Sequence, residues 1–189
     1  MLSIILYFGS FNPIHTAHLT IAKYATTLAD EVWLVVSPHN PLKRTTTLAS
    51  ENDRLLMTEQ AIRAVDESGK IKVCDIEFSL PRPSYTYQTL KELRKIYPQT
   101  KFSMIMGTDN LQEIEKWKNY TNILESTHLY IYPRDGYYVD KKLYTTYNIT
   151  YIEDVKTLAV SSTQIRTATA NTTDILPETK KYITDHNLY

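Results

Sequence analysis

The sequence predicts an α/β fold, a doubly wound and mostly parallel sheet with helices packed on both faces, and three observations carry that prediction. Short runs rich in β-branched and aromatic residues alternate with longer segments of helical periodicity, the order expected of βαβ units. The first run, Leu2 to Phe8, is apolar almost without interruption, as a buried strand is. The unusual residue types, such as a close pair of histidines, fall in loops that follow strands, where open parallel sheets place their ligands. Together they describe a Rossmann-like architecture.

Six segments read as strands from their β-branched and aromatic content: Ser3 to Phe8, Glu31 to Ser37, Ile71 to Cys74, Lys101 to Met106, His128 to Tyr132 and Asn148 to Ile152. Between them, helical spacing is found over Ala17 to Leu28, Asp53 to Asp66, Thr86 to Ile96, Asn110 to Glu115 and a piece near Asp140 to Tyr144. Two terminal helices follow, from Ser161 and from Pro177, the latter with proline at a position where its missing N–H costs nothing.

With 189 residues and no repeat, low-complexity tract or linker, the chain reads as one domain over 1–189, its C-terminal helices forming the stretch from about 161 to 189. A hydrophobic fraction of 42% and a charged fraction of 22% are ordinary, and 21 basic residues cancel 21 acidic ones. That balance argues against nucleic acid or an anionic membrane as partner. The apolar run at the start lacks a basic flank and is far shorter than the roughly 20 residues of a membrane span. A single cysteine, Cys74, cannot pair internally and leaves no cluster for a structural metal, which fits a reducing compartment and the cytoplasm. Fifteen tyrosines are the one oddity of composition, and they follow no pattern beyond amphipathic use.

The first post-strand loop reads Gly9-Ser10-Phe11-Asn12-Pro13-Ile14-His15-Thr16-Ala17-His18 and runs into a helix. His15 and His18, three residues apart at a helix start, share a face and add imidazole donors to free backbone N–H groups, a constellation for phosphate. A pair of capping or core histidines on a tight turn is the plainer alternative. Near the C-terminus, Val160-Ser161-Ser162-Thr163-Gln164-Ile165-Arg166 opens another helix. Ser161 with Gln164 fits a capping box, and Ser162 and Arg166 lie one turn apart. Hydroxyls, N–H groups and an arginine fork make a second anion site suited to a polyphosphate, against the plainer reading of a good N-cap.

The two motifs resemble the G-x-F-(D/N)-P-x-H-x-G-H and I-S-S-T-x-I-R signatures of the nucleotidyltransferase superfamily, with Ala17 where the signature has glycine. If that position is helical, alanine costs little. The intervening loops resemble bacterial nicotinate mononucleotide adenylyltransferases over nearly the whole chain. They are Pro38 to Lys43, Asp53-Arg54-Leu55, Ser84 to Leu90, Met106 to Leu111, Trp117 to Tyr120 and Tyr132-Pro133-Arg134.

The resemblance implies transfer of AMP from ATP to nicotinate mononucleotide, giving nicotinate adenine dinucleotide and pyrophosphate. It implies His15, His18, Lys43 and Arg166 as the cationic catalytic set and Gly9, Ser10, Phe11, Ser161, Ser162 and Thr163 around ATP. Gly107 and Asp109 belong to the same group, since a glycine admits a nucleoside and a carboxylate accepts from ribose hydroxyls. Asn40, Tyr85, Thr86, Trp117 and Arg134 fall to the mononucleotide. Backbone N–H groups at Tyr85 and Thr86, opening a helix, could receive the nicotinate carboxylate, and Trp117 could stack on the pyridinium. Core packing for Trp117 and a solvated charge for Arg134 are the alternatives. No carboxylate cage is apparent, so Mg²⁺ is expected to arrive with ATP, held by phosphates and water. Nicotinamide mononucleotide or phosphopantetheine as acceptor, and a non-catalytic nucleotide sensor, are the competing readings; oligomeric state is not legible.

Overall fold

The computed structural model describes residues 1–38, 48–138, 140, 142–155, 160–167 and 173–189. Six parallel strands form one sheet in the order β3-β2-β1-β4-β5-β6: β1 (Leu2–Gly9), β2 (Glu31–Val36), β3 (Ile71–Cys74), β4 (Thr100–Gly107), β5 (His128–Tyr132) and β6 (Ile149–Tyr151). Helices α1 (Thr16–Ala25), α2 (Glu51–Val65) and α3 (Thr86–Ile96) belong to the first half. The second half carries α4 (Thr108–Gln112), α5 (Tyr120–Ser126), α6 (Lys142–Thr146), α7 (Ser162–Thr167) and α8 (Pro177–Asp185).

Alternation along β1 divides the core in two. Ile5 and Tyr7 pack with Ile21 and Ala22 of α1, Met57 and Ala61 of α2 and Tyr182 of α8. Ile4 and Leu6 face the other way, onto Leu90 and Leu93 of α3, Leu111 of α4 and Ile123 of α5. Burial on both faces is why the strand carries so little polar content, and it provides the main driving force for placing helices on either side. The register brings Leu6 beside Met104 of β4 and Phe8 beside Val35 of β2.

The strand order reverses at β1, whose successors β2 and β4 lie on opposite sides of it. A crevice therefore opens beyond the C-terminal ends of β1 and β4, bounded by the loops after Gly9 and after Gly107.

Helix α1 stops at Ala25, short of Leu28, because the Thr26 and Thr27 hydroxyls donate back to the carbonyls of Lys23 and Tyr24 and occupy acceptors that a further turn would use. Two elements have no counterpart in the sequence reading. The 3₁₀ turn Ile76–Ser79 is too short to show a period, and α5 buries only Ile123 and Leu124 after Asn119 turns left-handed at φ 58°. Ala17 lies inside α1, buried against Val160 and Ile165, so the methyl group that replaces the signature glycine helps seat α7 on the first loop. No helix among the described residues is long and apolar enough to cross a membrane.

Candidate active site

The loop after β1 is held from behind by a residue that the sequence reading passed over. Arg54 of α2 is 1% exposed. Its guanidinium donates to the carbonyls of Ala49 (3.1 Å), Ser10 (2.6 Å), Ser37 (2.7 Å) and Pro38 (3.1 Å), joining the loops that follow β1 and β2. Arg54 shares the buried face of α2 with Met57, Thr58 and Ala61, and an arginine on an apolar stripe was the available signal. Asn12, also buried, accepts from Ala49 N–H (3.0 Å) and from the Tyr189 hydroxyl through its side-chain oxygen. Phe11 adopts φ 43°, and its ring lies under Gly9, where an added Cβ would come within 2.7 Å of Phe11 Cζ. Gly9 is required by that packing. Phe11 is 1% exposed, and its side chain shapes the loop from below.

Above this loop opens a cleft of about 770 Å³. Gly9, Ser10, His15 and His18 form part of its wall. The two imidazoles stack at 3.7 Å between ring centroids. His18 Nδ1 accepts from the His15 backbone N–H (3.3 Å), which places the proton of the neutral ring on Nε2. His15 is 3% exposed, and its Nδ1 has no hydrogen-bond partner. Burial first, and the Arg134 guanidinium second, push its pKa down to about 3. His15 is therefore an uncharged imidazole at neutral pH. An arriving polyphosphate would raise that pKa by supplying the missing negative charge.

Helix α7 closes the same end. The Ser161–Gln164 capping box is formed, with Ser161 N–H to Gln164 Oε1 at 2.8 Å and Gln164 N–H to Ser161 Oγ at 3.3 Å. Ser161, Ser162, Thr163 and Arg166 all line the cleft. Ser162 Oγ donates to Pro13 O (3.1 Å), while Arg166 donates through Nη1 to Asn12 O (2.7 Å) and through Nη2 to Thr163 Oγ1 (3.2 Å). The two motifs are thus bonded to each other: α7 clamps the first loop, and its arginine spends one arm of the fork on the clamp.

Tyr85, Thr86 and Trp117 also line the cleft. Tyr85 is the N-cap of α3 and no side chain caps that helix, so the first N–H groups of α3 have no intrahelical acceptor. Lys118 Nζ sits 4.6 Å from the Tyr85 ring centroid. Glu77 and Ser84, both buried, complete this wall. Asp109 and Arg134 also border the cleft, with Arg134 Nε 3.8 Å from Asp109 Oδ2 and Arg134 N–H donating to Thr108 Oγ1 at 2.9 Å. Gly107 lies behind them. A Cβ there would collide with Asp109 Oδ1 and come within 2.8 Å of Arg134 Cγ, so this glycine makes room for its neighbours. Asn40 and Lys43 lie outside the described residues. The floor carries a buried hydroxyl pair, Tyr7 and Tyr132, 3.2 Å apart. Among the described residues no three His, Cys, Asp or Glu side chains gather as metal ligands.

The cytidylyltransferase-like family model matches residues 6–168. A "Probable nicotinate-nucleotide adenylyltransferase" of Flavobacterium johnsoniae is 41% identical over 190 residues, covering 97% of this chain and 97% of that protein. The protein of the same name from Porphyromonas gingivalis is 40% identical over 185 residues, covering 94% and 92%. The nicotinic acid mononucleotide adenylyltransferase of Plasmodium falciparum, solved in complex with NaAD, superposes with a TM-score of 0.84 at 24% identity, over 100% of this chain and 98% of that one. That structural likeness shows the fold, and the full-length sequence identities show the lineage. The chain belongs to the cytidylyltransferase-like family and, within it, to the nicotinate-nucleotide adenylyltransferases.

Proposed function

We propose that the protein transfers the AMP part of ATP to nicotinate mononucleotide, releasing pyrophosphate and giving nicotinate adenine dinucleotide. The observation that carries this reading is that one cleft joins two unlike ends. At one end His18, Arg166 and the loop after β1 offer donors to phosphates; the uncapped start of α3 and Trp117 line the same cleft. A free helix start suits a carboxylate, and an indole face suits a cationic ring.

The acceptor's 5′-phosphate is already an anion at neutral pH, so an oxygen of that group can attack the α-phosphorus of ATP without a general base. The new P–O bond forms as the bond from the α-phosphorus to the bridging oxygen breaks, and the electron pair leaves on pyrophosphate. The side chains have to align the two phosphates and stabilise negative charge that builds on the bridging and equatorial oxygens. The His15 and His18 imidazoles, the Nη2 arm of Arg166, which Thr163 Oγ1 holds at 3.2 Å, and Lys43 supply this in our reading, while Asp109 and Arg134 border the nucleosides. The residues described here do not form a metal cage, so ATP is taken as its Mg²⁺ complex, with the ion held by phosphates and water. A single cysteine and two nucleotide substrates fit a cytoplasmic reaction.

The experiment is pyrophosphate release from Mg-ATP with nicotinate mononucleotide, nicotinamide mononucleotide or phosphopantetheine as acceptor. Fastest turnover is expected with the first. Turnover confined to either of the others would reassign the acceptor, and none with any would point to a nucleotide sensor.

A further inference from the structure

Glu77 is the most conspicuous group in the cleft that the reaction leaves unused. It sits on the 3₁₀ turn after β3 and is 1% exposed. Its Oε1 accepts from the Thr89 hydroxyl (2.7 Å), one turn into α3. Its Oε2 has no partner, and neither has the Oγ of Ser84, which is 9% exposed and directly precedes the N-cap Tyr85. Glu77 and Ser84 both border the cleft beside Tyr85 and Thr86. Buried polar atoms are ordinarily paired, so two adjacent orphans beside an uncapped helix start indicate a group that arrives with the ligand.

The charge around Glu77 is one-sided. Thr89 on α3 donates to it, and the hydroxyls of Ser37 after β2 and Ser84 before α3 lie close enough to favour its ionised form, although only the Thr89 bond has hydrogen-bond geometry. From β3 it meets the Cys74 thiol, whose own ionisation it opposes together with Asp75. Lys116, Lys118 and Arg134 border the same cleft, but Glu77 makes no ion pair among the described residues. Burial outweighs the three hydroxyls and holds its carboxyl above the ordinary glutamate range.

We propose that Glu77 sets the choice between acid and amide from behind the start of α3: it binds a proton when a ligand carboxylate occupies the helix start and stays ionised when an amide does. This rests on the reading of that helix start as the nicotinate subsite. A second negative charge one residue beyond Ser84 disfavours ionised Glu77, so the acid substrate brings a solvent proton with it, and the resulting O–H donates toward the ligand. An amide adds no charge and offers an N–H that ionised Glu77 accepts. The preference for the acid is therefore strongest at low pH and weakens as pH rises past the Glu77 ionisation.

The test is calorimetric titration of the protein with each mononucleotide in buffers of different ionisation enthalpy, together with the ratio of kcat/KM for acid over amide as a function of pH. The wild type should take up protons with nicotinate mononucleotide and not with nicotinamide mononucleotide, and its ratio should fall about 10-fold as pH rises through the Glu77 ionisation. Glu77→Gln keeps an acceptor for Thr89 and should abolish both the uptake and the slope. Thr89→Val removes the donor that favours the ionised form, so it should move the midpoint of the slope to higher pH, and it decides the matter if the Gln variant does not fold. Equal uptake with both substrates, uptake that persists in Glu77→Gln, or a midpoint unmoved by Thr89→Val would overturn the proposal. A wild type that turns over the acid with a flat ratio refutes the role of Glu77 alone, whereas no turnover of the acid refutes the reading beneath it.

Discussion

The two ends of the cleft are built on opposite principles. The backbone of the loop after β1 is largely satisfied before any ligand arrives, with His15 Nδ1 the exception: Arg54 binds four carbonyls, Asn12 takes bonds from Ala49 and Tyr189, and Ser162 and Arg166 tie α7 to Pro13 and Asn12. The start of α3 is left unsatisfied, with no cap on the helix and with Glu77 Oε2 and Ser84 Oγ unpaired. The contrast matches the two tasks. In-line displacement depends on geometry fixed in advance, because reorganisation at the moment of reaction would be added to the barrier. Choosing between two acceptors depends on groups that are costly until the right one is seated.

The largest expected effect sits at the satisfied end. His18→Ala removes one preorganised donor and should lower kcat by roughly 100- to 1000-fold, about 2.7 to 4 kcal/mol, with the fold retained. Steady-state rates alongside circular dichroism check this, and activity within threefold of the parent would make His18 a capping residue. Arg54→Met should destabilise the protein by about 3 kcal/mol or more, since the carbonyls of Ser10, Ser37, Pro38 and Ala49 lose their donor in a buried setting. Urea unfolding measures it; a loss under about 1 kcal/mol would mean that water replaces the guanidinium.

His15 gives the satisfied end a pH signature. Its folded pKa of about 3 lies below the unfolded value near 6.5, so between these limits the unfolded chain binds the extra proton and stability falls as pH falls. The slope should approach about 1.4 kcal/mol per pH unit at most, and His15→Asn, which preserves a good N-cap, should flatten it. Parallel curves for the two proteins between roughly pH 6.5 and 4 would show that the imidazole is solvated. A smaller effect is expected at the clamp. In Arg166→Lys one ammonium cannot hold Asn12 O and reach a phosphate in the fork's geometry, so KM for ATP should rise about 10-fold, the lower range for one charge-assisted hydrogen bond. An unchanged KM would confine Arg166 to the clamp.

Much of this was legible in the sequence, and for physical reasons. Ile71–Cys74, His128–Tyr132 and Thr86–Ile96 have the bounds that their composition predicts, because strand and helix periods were strong there and turn residues flanked them. The Ser161–Gln164 box was readable because capping is a local bond between residues three apart. The roles of Arg54 and Glu77 were not, since each works through long-range bonds: Arg54 shows in sequence only as an arginine on an apolar stripe, and Glu77 looks like an ordinary surface charge. The neutrality of His15 was equally hidden, as burial is a property of the packed chain. Phe11 and Gly107 also have packing roles that a motif does not show: the Phe11 ring fills the space under Gly9, and the missing side chain of Gly107 leaves room for Asp109 and Arg134.

The most direct test of the division between the two ends compares His18→Ala with Thr86→Pro on both mononucleotides. Thr86 is the first residue of α3 and Tyr85 before it is extended (φ −117°, ψ 124°), so proline fits the backbone there and removes only the N–H. The parent should prefer the acid by roughly 10-fold to somewhat under 1000-fold, from about 1 to 3 kcal/mol for an unsatisfied donor and about 0.3 to 1 for charge at a helix start. His18→Ala should lower kcat/KM for acid and amide by the same factor and leave their ratio intact. Thr86→Pro should bring the ratio close to one chiefly by losing the acid, with Thr86→Ala, which keeps the N–H, only modestly affected. A proline variant that retains the parent's ratio, or a His18 variant that changes it, would contradict the assignment of chemistry to one end of the cleft and recognition to the other.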